Sequence, residues 1–360
     1  MATAMIQNRV LALCLLLASL PVADAHAQHK QFKDWLAACD NLRNCHAYGF
    51  GAGAWAGAYL HLERGGAAGT LPRVTVVVEA AQGVKVKLAY NDKSTAGLPA
   101  DAVTPAKGDD VVRIEIKEPT AVAAMVAMLH KAETLTATRI DPPGHKSDDE
   151  TSDISLSGAV AALLWIDEQQ KRLGTVTALI RRGDKPVWSV PPQPPAPVVR
   201  AAKANPAPLP KVAPPEIIAK GKTLCGEDEG EGEFSEAERL SGKLVLYSFY
   251  CRDSSGAYNH HYAFLVAPEG NPKAVKVPDF QVKIGDLVNE RSSILTNPSF
   301  DAKTMTMLTF GKGRGIGDCG DISAWVWDGT AFRLTRYDLM PDCKGVPADD
   351  WPTVYRTTVR

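Results

Sequence analysis

Residues 191–215, PPQPPAPVVRAAKANPAPLPKVAPP, carry ten prolines in 25 positions. Each proline holds its backbone φ near about −65° and lacks an N–H donor, so neither a helix interior nor a central strand can pass through the segment. The run predicts an extended, polyproline II-like spacer whose only charges are Arg200, Lys203 and Lys211. A stalk, or a ligand for a proline-binding module, would use the same composition. A plain interdomain linker is the simpler reading. It divides the chain into domains at 28–190 and 216–360, in keeping with a length of 360 residues and the usual ~100–200 residues per domain.

The first 27 residues read as a secretory signal. Arg9 supplies the positive start, Val10 to Leu20 is an apolar run broken only by Ser19, and Pro21 ends it. The run is too short for a bilayer, which takes roughly 20 apolar residues. Two A-x-A cleavage sites follow, Ala23-Asp24-Ala25 and Ala25-His26-Ala27. Nothing later is apolar for long enough to be a transmembrane helix. Cys14 would leave with the signal, turning seven cysteines into six: Cys39, Cys45, Cys225, Cys251, Cys319 and Cys343. An even number in an exported chain reads as disulfides. Proximity favours Cys39–Cys45. The other four allow three connectivities, of which 225–251 and 319–343 close local loops of similar length.

The N-terminal domain reads as α+β, an antiparallel sheet with two helices. Tyr59–Glu63, Arg73–Glu79, Val84–Tyr90 and Val111–Lys117 alternate or are dense in β-branched residues. A helix is expected over 120–131 after Pro119, with Ala121, Met125, Met128 and Leu129 facing the core. A second is expected from an N-cap at Ser157 through Leu173, with Gly174 as C-cap. Thr175–Ile180 is expected to close the sheet. The C-terminal domain reads as mostly antiparallel β, from Lys243–Cys251, Tyr262–Val266, Met305–Phe310 and Ala324–Trp327. Asp328-Gly329 marks a hairpin between the last of these and Ala331–Leu334. The acidic stretch from Glu227 to Glu238 does not meet the spacing of a calcium loop, with its alternating acids, central glycine and terminal glutamate, so a solvated loop is expected there.

Catalytic signatures are missing. Gly315-x-Gly317-x-x-Gly320 precedes a strand, not the helix that a dinucleotide site requires. Gly221-Lys222-Thr223 ends like a phosphate loop, but Glu216 stands where its first glycine belongs. No nucleophile elbow or zincin motif occurs. His260 and His261 are adjacent, so on a strand they point to opposite sides. His26 and His29 lie at the new N-terminus and read as tail residues. Asp34, Asp40, Asp318 and Asp321 sit beside cysteines and tryptophans, and carboxylates paired across a cleft could serve glycoside hydrolysis. The suggestive feature is the gathering of Trp325, Trp327, Phe332, Tyr337 and Trp351 around the last two cysteines. These rings suit either a sugar- or peptide-binding surface or a disulfide-braced core.

Several segments together carry a resemblance. They are Phe32-Lys33-Asp34-Trp35 with Cys39-Asp40-Asn41 and Cys45; Ser155-Leu156-Ser157-Gly158; Ala161–Leu164 with Asp167 and Gln170; Arg172-Leu173-Gly174-Thr175 with Thr177-Ala178-Leu179; and Gly317–Gly320 with Trp325, Trp327-Asp328-Gly329 and Phe332. With these the chain resembles the domain-of-unknown-function family 1176, exported bacterial proteins with six cysteines. Its N-terminal half is more faintly similar to the invasion-associated locus B family. The resemblance implies a periplasmic or secreted protein of a Gram-negative bacterium and brings no catalytic residues.

The formal net charge of −1 supplies no general attraction to nucleic acid or anionic lipid. No metal or cofactor is called for by any motif. The sequence therefore reads as an exported, non-catalytic module for an envelope protein, peptide or glycan. A periplasmic hydrolase using paired carboxylates is the alternative. Non-reducing peptide mapping is expected to recover Cys39 joined to Cys45, with no free thiol among the six cysteines.

Overall fold

A computed structural model describes residues 28–51, 57–81, 83–91, 93–99, 110–140, 151–209, 212–225, 231–252, 255–285, 287–288 and 293–360. The signal with Cys14 and His26, and Glu227 to Glu229 of the acidic stretch, lie outside these residues.

The chain is mostly β. Strands β1 (Gln28–Phe32), β2 (Trp35–Cys39), β3 (Cys45–Phe50), β4 (Ala58–Arg64) and β5 (Arg73–Glu79) form an antiparallel meander. β6 (Lys85–Tyr90) leaves this sheet, and β7 (Val111–Ile116) returns to pair with β5. Helix α1 (Pro119–Met128) follows, then β8 (Thr134–Ile140) and β9 (Thr151–Ser155), which join β6 in a three-stranded sheet. Helix α2 (Ala159–Gln169) completes the first half.

The middle of the six-stranded sheet is buried on both faces, which is why all five residues of β2 are buried. One face, with Trp35, Leu60, Leu62 and Val76, packs on the two helices and the small sheet through Met125, Leu135, Leu163 and Ile166. The other face, with Leu36, Tyr48, Phe50, Tyr59 and Val77, packs on Met340, Val346 and Trp351 from the far end of the chain. A strand of this kind cannot alternate polar and apolar residues, because no side of it meets water.

Beyond the proline-rich run, β10 (Val198–Val199) is followed by α3 (Pro215–Lys222), β11 (Gly232–Arg239), β12 (Leu244–Cys251) and β13 (His261–Pro268). After the short hairpin β14 (Lys283–Ile284) and β15 (Leu287–Val288), β16 (Ile294–Thr296) adds to β13 and completes a four-stranded sheet. Strands β17 (Ser299–Asp301), β18 (Thr306–Lys312), β19 (Gly320–Trp327), β20 (Phe332–Met340) and β21 (Thr353–Arg356) form a five-stranded sheet, and β22 (Thr358–Val359) ends the chain. Met307, Trp325, Trp327 and Phe332 of the five-stranded sheet meet Leu246, Phe264 and Phe280 in a core between the two sheets. Helix α3 covers the opposite face of the four-stranded sheet, where Ile217 meets Val245, Phe249 and Leu265. Gly221 permits that approach, since a β-carbon there would lie 2.0 Å from the Phe249 ring.

Three disulfides brace the fold: Cys39–Cys45 directly across the β2–β3 hairpin, Cys225–Cys251 and Cys319–Cys343. Described parts of the proline-rich segment are tied down. Val198 and Val199 pair in parallel with Thr358 and Val359. Ala202 N–H donates to the Trp327 carbonyl at 2.9 Å, and Arg239 Nη2 donates to the Pro208 carbonyl at 2.5 Å.

Four local expectations differ from what is found. Thr175–Ile180 is not a closing strand but a run of turns, because side chains claim its backbone: Leu179 and Ile180 donate their N–H groups to the Asp167 carboxylate. Helix α2 begins after Gly158, not with a Ser157 cap. Gly158 takes φ of 103° against the Phe32 carbonyl, and at the other end Lys171 turns left-handed at φ of 58° before Gly174 is reached. Helix α3 lies where no helical period was read. Glu233, Glu236 and Glu238 sit on the edge strand β11, where exposed charge suits an unpaired sheet edge.

One buried polar network ties β4 to the end of α2. Arg64 and Asp167 are both fully buried and pair at 2.7 Å. Arg64 Nε donates to Gln170 Oε1 at 2.6 Å, and Gln170 Nε2 donates to the carbonyls of Arg43 and Arg64. Arg172 donates to the Ala67 and Ala68 carbonyls. Removing one partner of such a pair leaves an uncompensated buried charge. Asp167→Ala is expected to destabilise the protein by about 3–5 kcal/mol, read from urea unfolding followed by circular dichroism.

Candidate functional site

Two clefts stand out, one apolar and one polar. The apolar cleft follows from the composition of α1, PTAVAAMVAM, which has no charged face. Val122, Met125, Val126 and Met128 are buried. Exposed Ala123 and Ala127, with Val122, Val126 and His130, form the floor of a cleft of about 360 Å³. Thr70, Leu71 and Pro72 make one wall; Val176 to Leu179 and Arg182 make the other. Leu71 is 58% exposed and Val176 48%. The Arg64–Asp167–Gln170–Arg172 network holds both walls: Arg172 grips the 67–68 backbone leading into the first, and Asp167 grips the 179–180 backbone of the second. The signal for this cleft was legible as the missing polar side of α1, which the core reading of that helix passed over.

The polar cleft, about 440 Å³, opens beside the six-stranded sheet and is lined by His46, Glu63, Arg64, Arg73 and Arg356 among others. The β3–β4 register sets His46 opposite Glu63 and Tyr48 opposite His61, so all four side chains share the face toward the C-terminal half. His46 Nδ1 lies 3.0 Å from His61 Nε2. The His61 ring stacks on Tyr48 with centroids 4.4 Å apart and on His46 at 5.2 Å. Burial, with His61 and Arg356 nearby, pushes the His46 imidazole down to about 3. Burial, with Arg113 and Arg73, pushes His61 down to about 4. Both rings are neutral at ordinary pH.

Asp350 fastens the same face to the C-terminal half. Its carbonyl accepts the Tyr48 hydroxyl at 2.5 Å, while its carboxylate accepts the Tyr59 hydroxyl and pairs with Arg113 at 2.7 Å. Burial, and then the Asp350 charge, raise both tyrosine hydroxyls well above their usual value. Next to them Asp40 pairs with Arg356 at 2.5 Å, and Asn41 exchanges two hydrogen bonds with the Arg356 backbone.

The aromatic residues proposed as a binding surface form none. Trp325, Trp327, Phe332, Tyr337 and Trp351 are each 3–5% exposed. The first four fill the core between the two C-terminal sheets, and Trp351 packs in the layer between the halves. Two faces of the five-stranded sheet had to be filled, and these rings fill them. His260 and His261 contact Tyr250 and Thr296 respectively and do not converge. His29 is exposed on β1; partial desolvation pulls its imidazole down against the opposing pull of Asp342. Asp34 accepts the Ser155 hydroxyl, Asp40 caps the β2–β3 turn through the Leu42 and Asn44 N–H groups, and Asp318 is held by Arg314 and the Gly345 N–H. Gly315–Gly320 leads into β19 beside Cys319–Cys343, with no helix after it.

The molecule is thus a disulfide-braced, mostly β protein with a helix-floored apolar cleft and a histidine-bearing polar one. The family model described as a protein of unknown function, DUF1176, matches residues 29–358, and the chain belongs to that family. It is 30% identical over 351 residues to the uncharacterized protein YpfG of Escherichia coli strain K12, covering 91% of this chain and 92% of that one. No solved structure matches.

Asp321 differs from the other carboxylates. It is largely buried on β19, and no ion pair reaches it among the described residues; burial raises its carboxyl to about 6, against a weaker opposing hydrogen bond from Ser323. Between about pH 4 and 6 the unfolded chain ionises here while the folded one keeps its proton, so this group's contribution to stability falls as pH rises through that window. Asp321→Asn is expected to match the wild type near pH 4 and to exceed it by about 2 kcal/mol at pH 7, measured by urea unfolding at both values.

Proposed function

We propose that this protein acts outside the cytoplasm as a non-catalytic binding module, and that its apolar cleft takes an apolar segment of a partner protein. In this reading residues 1–27 direct export, residues 28–190 carry the cleft, the proline-rich segment 191–215 is the connection, and residues 216–360 brace the whole. Three disulfides suit an oxidising compartment. No helix among the described residues is long and apolar enough to cross a membrane.

The observation that carries the proposal is the cleft floored by α1. Its lining of valine, alanine, leucine and proline holds no Trp, Tyr or Phe among the described residues. Sugars bind by stacking on such rings, so the lining favours an aliphatic peptide over a glycan. Arg182 and His130 at the rim suit a carboxylate near the apolar residues of that peptide.

Selection of displayed peptides on the purified chain tests this. The expected winners pair aliphatic residues with an acidic one. Ala123→Trp fills the cleft from an exposed position and is expected to weaken the selected peptides at least about tenfold; Arg182→Glu is expected to weaken the acidic ones selectively. Unchanged affinity in Ala123→Trp, or no enriched sequence, would overturn the proposal.

A further inference from the structure

The polar cleft contains an arrangement that the binding reading does not use. One ring nitrogen of His46, one of His61 and a Glu63 carboxylate oxygen all lie within 4.8 Å of one another. Among the described residues the other such group, Asp318 with Cys319 and Cys343, has both sulfurs tied in a disulfide. We propose that His46, His61 and Glu63 form a binding site for one divalent transition-metal ion of the zinc type.

Geometry is the first support. Zinc binds imidazole nitrogen at ~2.0–2.1 Å in tetrahedral sites, which sets two nitrogens roughly 3.3 Å apart. The two histidine nitrogens already stand 3.0 Å apart. An ion entering between them replaces one hydrogen bond and needs only a small separation of the rings. Two imidazoles and one carboxylate leave a position open for water or a ligand, and His46 and Glu63 line the cleft of about 440 Å³. Calcium and magnesium prefer all-oxygen sites, so the donor set selects against them.

Preorganisation is the second support. His61 is clamped between Tyr48 and His46 in a continuous stack, so its ring orientation is set before any ion arrives. Tyr48 is held in turn by the Asp350 carbonyl.

Local charge is the third. Three arginines lie near the two imidazoles, and each is matched by a carboxylate: Arg73 by Glu63, Arg113 by Asp350 and Arg356 by Asp40. Arg73 has a side chain 60% exposed and can release Glu63 into solvent when an ion takes its place.

Zn²⁺ titration of the chelator-stripped, purified chain by calorimetry tests the site, with Co²⁺ as a spectroscopic substitute. One Zn²⁺ per chain at micromolar or tighter affinity is expected, with a visible band of four-coordinate Co²⁺. Glu63→Gln keeps shape and is expected to weaken binding about tenfold or more with an unchanged metal-free circular dichroism spectrum. His61→Ala is expected to abolish the stoichiometric site. No saturable binding would leave a plain histidine–histidine hydrogen bond and overturn the proposal. Binding indifferent to both Glu63→Gln and His61→Ala would overturn it too, by placing the ion on other histidines. Neither result bears on peptide binding by the apolar cleft.

Discussion

Much of the first half depends on one buried ion pair, Arg64 with Asp167. Two charges removed from water destabilise a fold unless hydrogen bonds satisfy them fully. Here Gln170, the Thr177 carbonyl and the 179–180 backbone do so. The consequence is geometric. The pair fixes where α2 ends, converts 175–180 from a strand into a loop, and places that loop as a wall of the apolar cleft. Arg172 extends the same network to the opposite wall. A cleft built on loops thereby gains the definition of one built on regular elements.

The second organising constraint is the doubly buried six-stranded sheet. Its inner face is closed by the chain's own helices, and its outer face only by residues from the far end, Met340, Val346 and Trp351. That closure is what half-buries His46 and His61 and suppresses their charge. The polar cleft is therefore a product of the packing between the halves, with Asp350 as the shared fastening. The two clefts share Thr70 and Leu71 but differ in chemistry, one aliphatic with Arg182 beside it, the other rich in nitrogen donors and ion pairs.

Legibility varied with the range of the interaction. The antiparallel strands, the two N-terminal helices and the Asp328-Gly329 hairpin were readable because alternation, helical period and turn chemistry act within a few residues. Helix α3 was missed because its eight residues, PEIIAKGK, give one buried isoleucine and no repeated stripe. The strand expected at Thr175–Ile180 failed because its hydrogen-bond partner is a carboxylate from the preceding helix. Three of the residues that carried the family resemblance, Asp167, Gln170 and Arg172, are fully buried.

From its sequence alone the chain determined its six-cysteine framework with local loops and its largely antiparallel character. These follow from covalent chemistry and backbone preference, which need no distant partner. The tertiary structure decided which aromatics face outward, and the answer was none of the five singled out. It also decided that His46, His61 and Glu63 meet, because strand register sets those neighbours, and that a helix without a polar face borders a cleft. Side-chain burial depends on which layer packs where, and that is settled by contacts hundreds of residues apart, such as Tyr48 with Asp350.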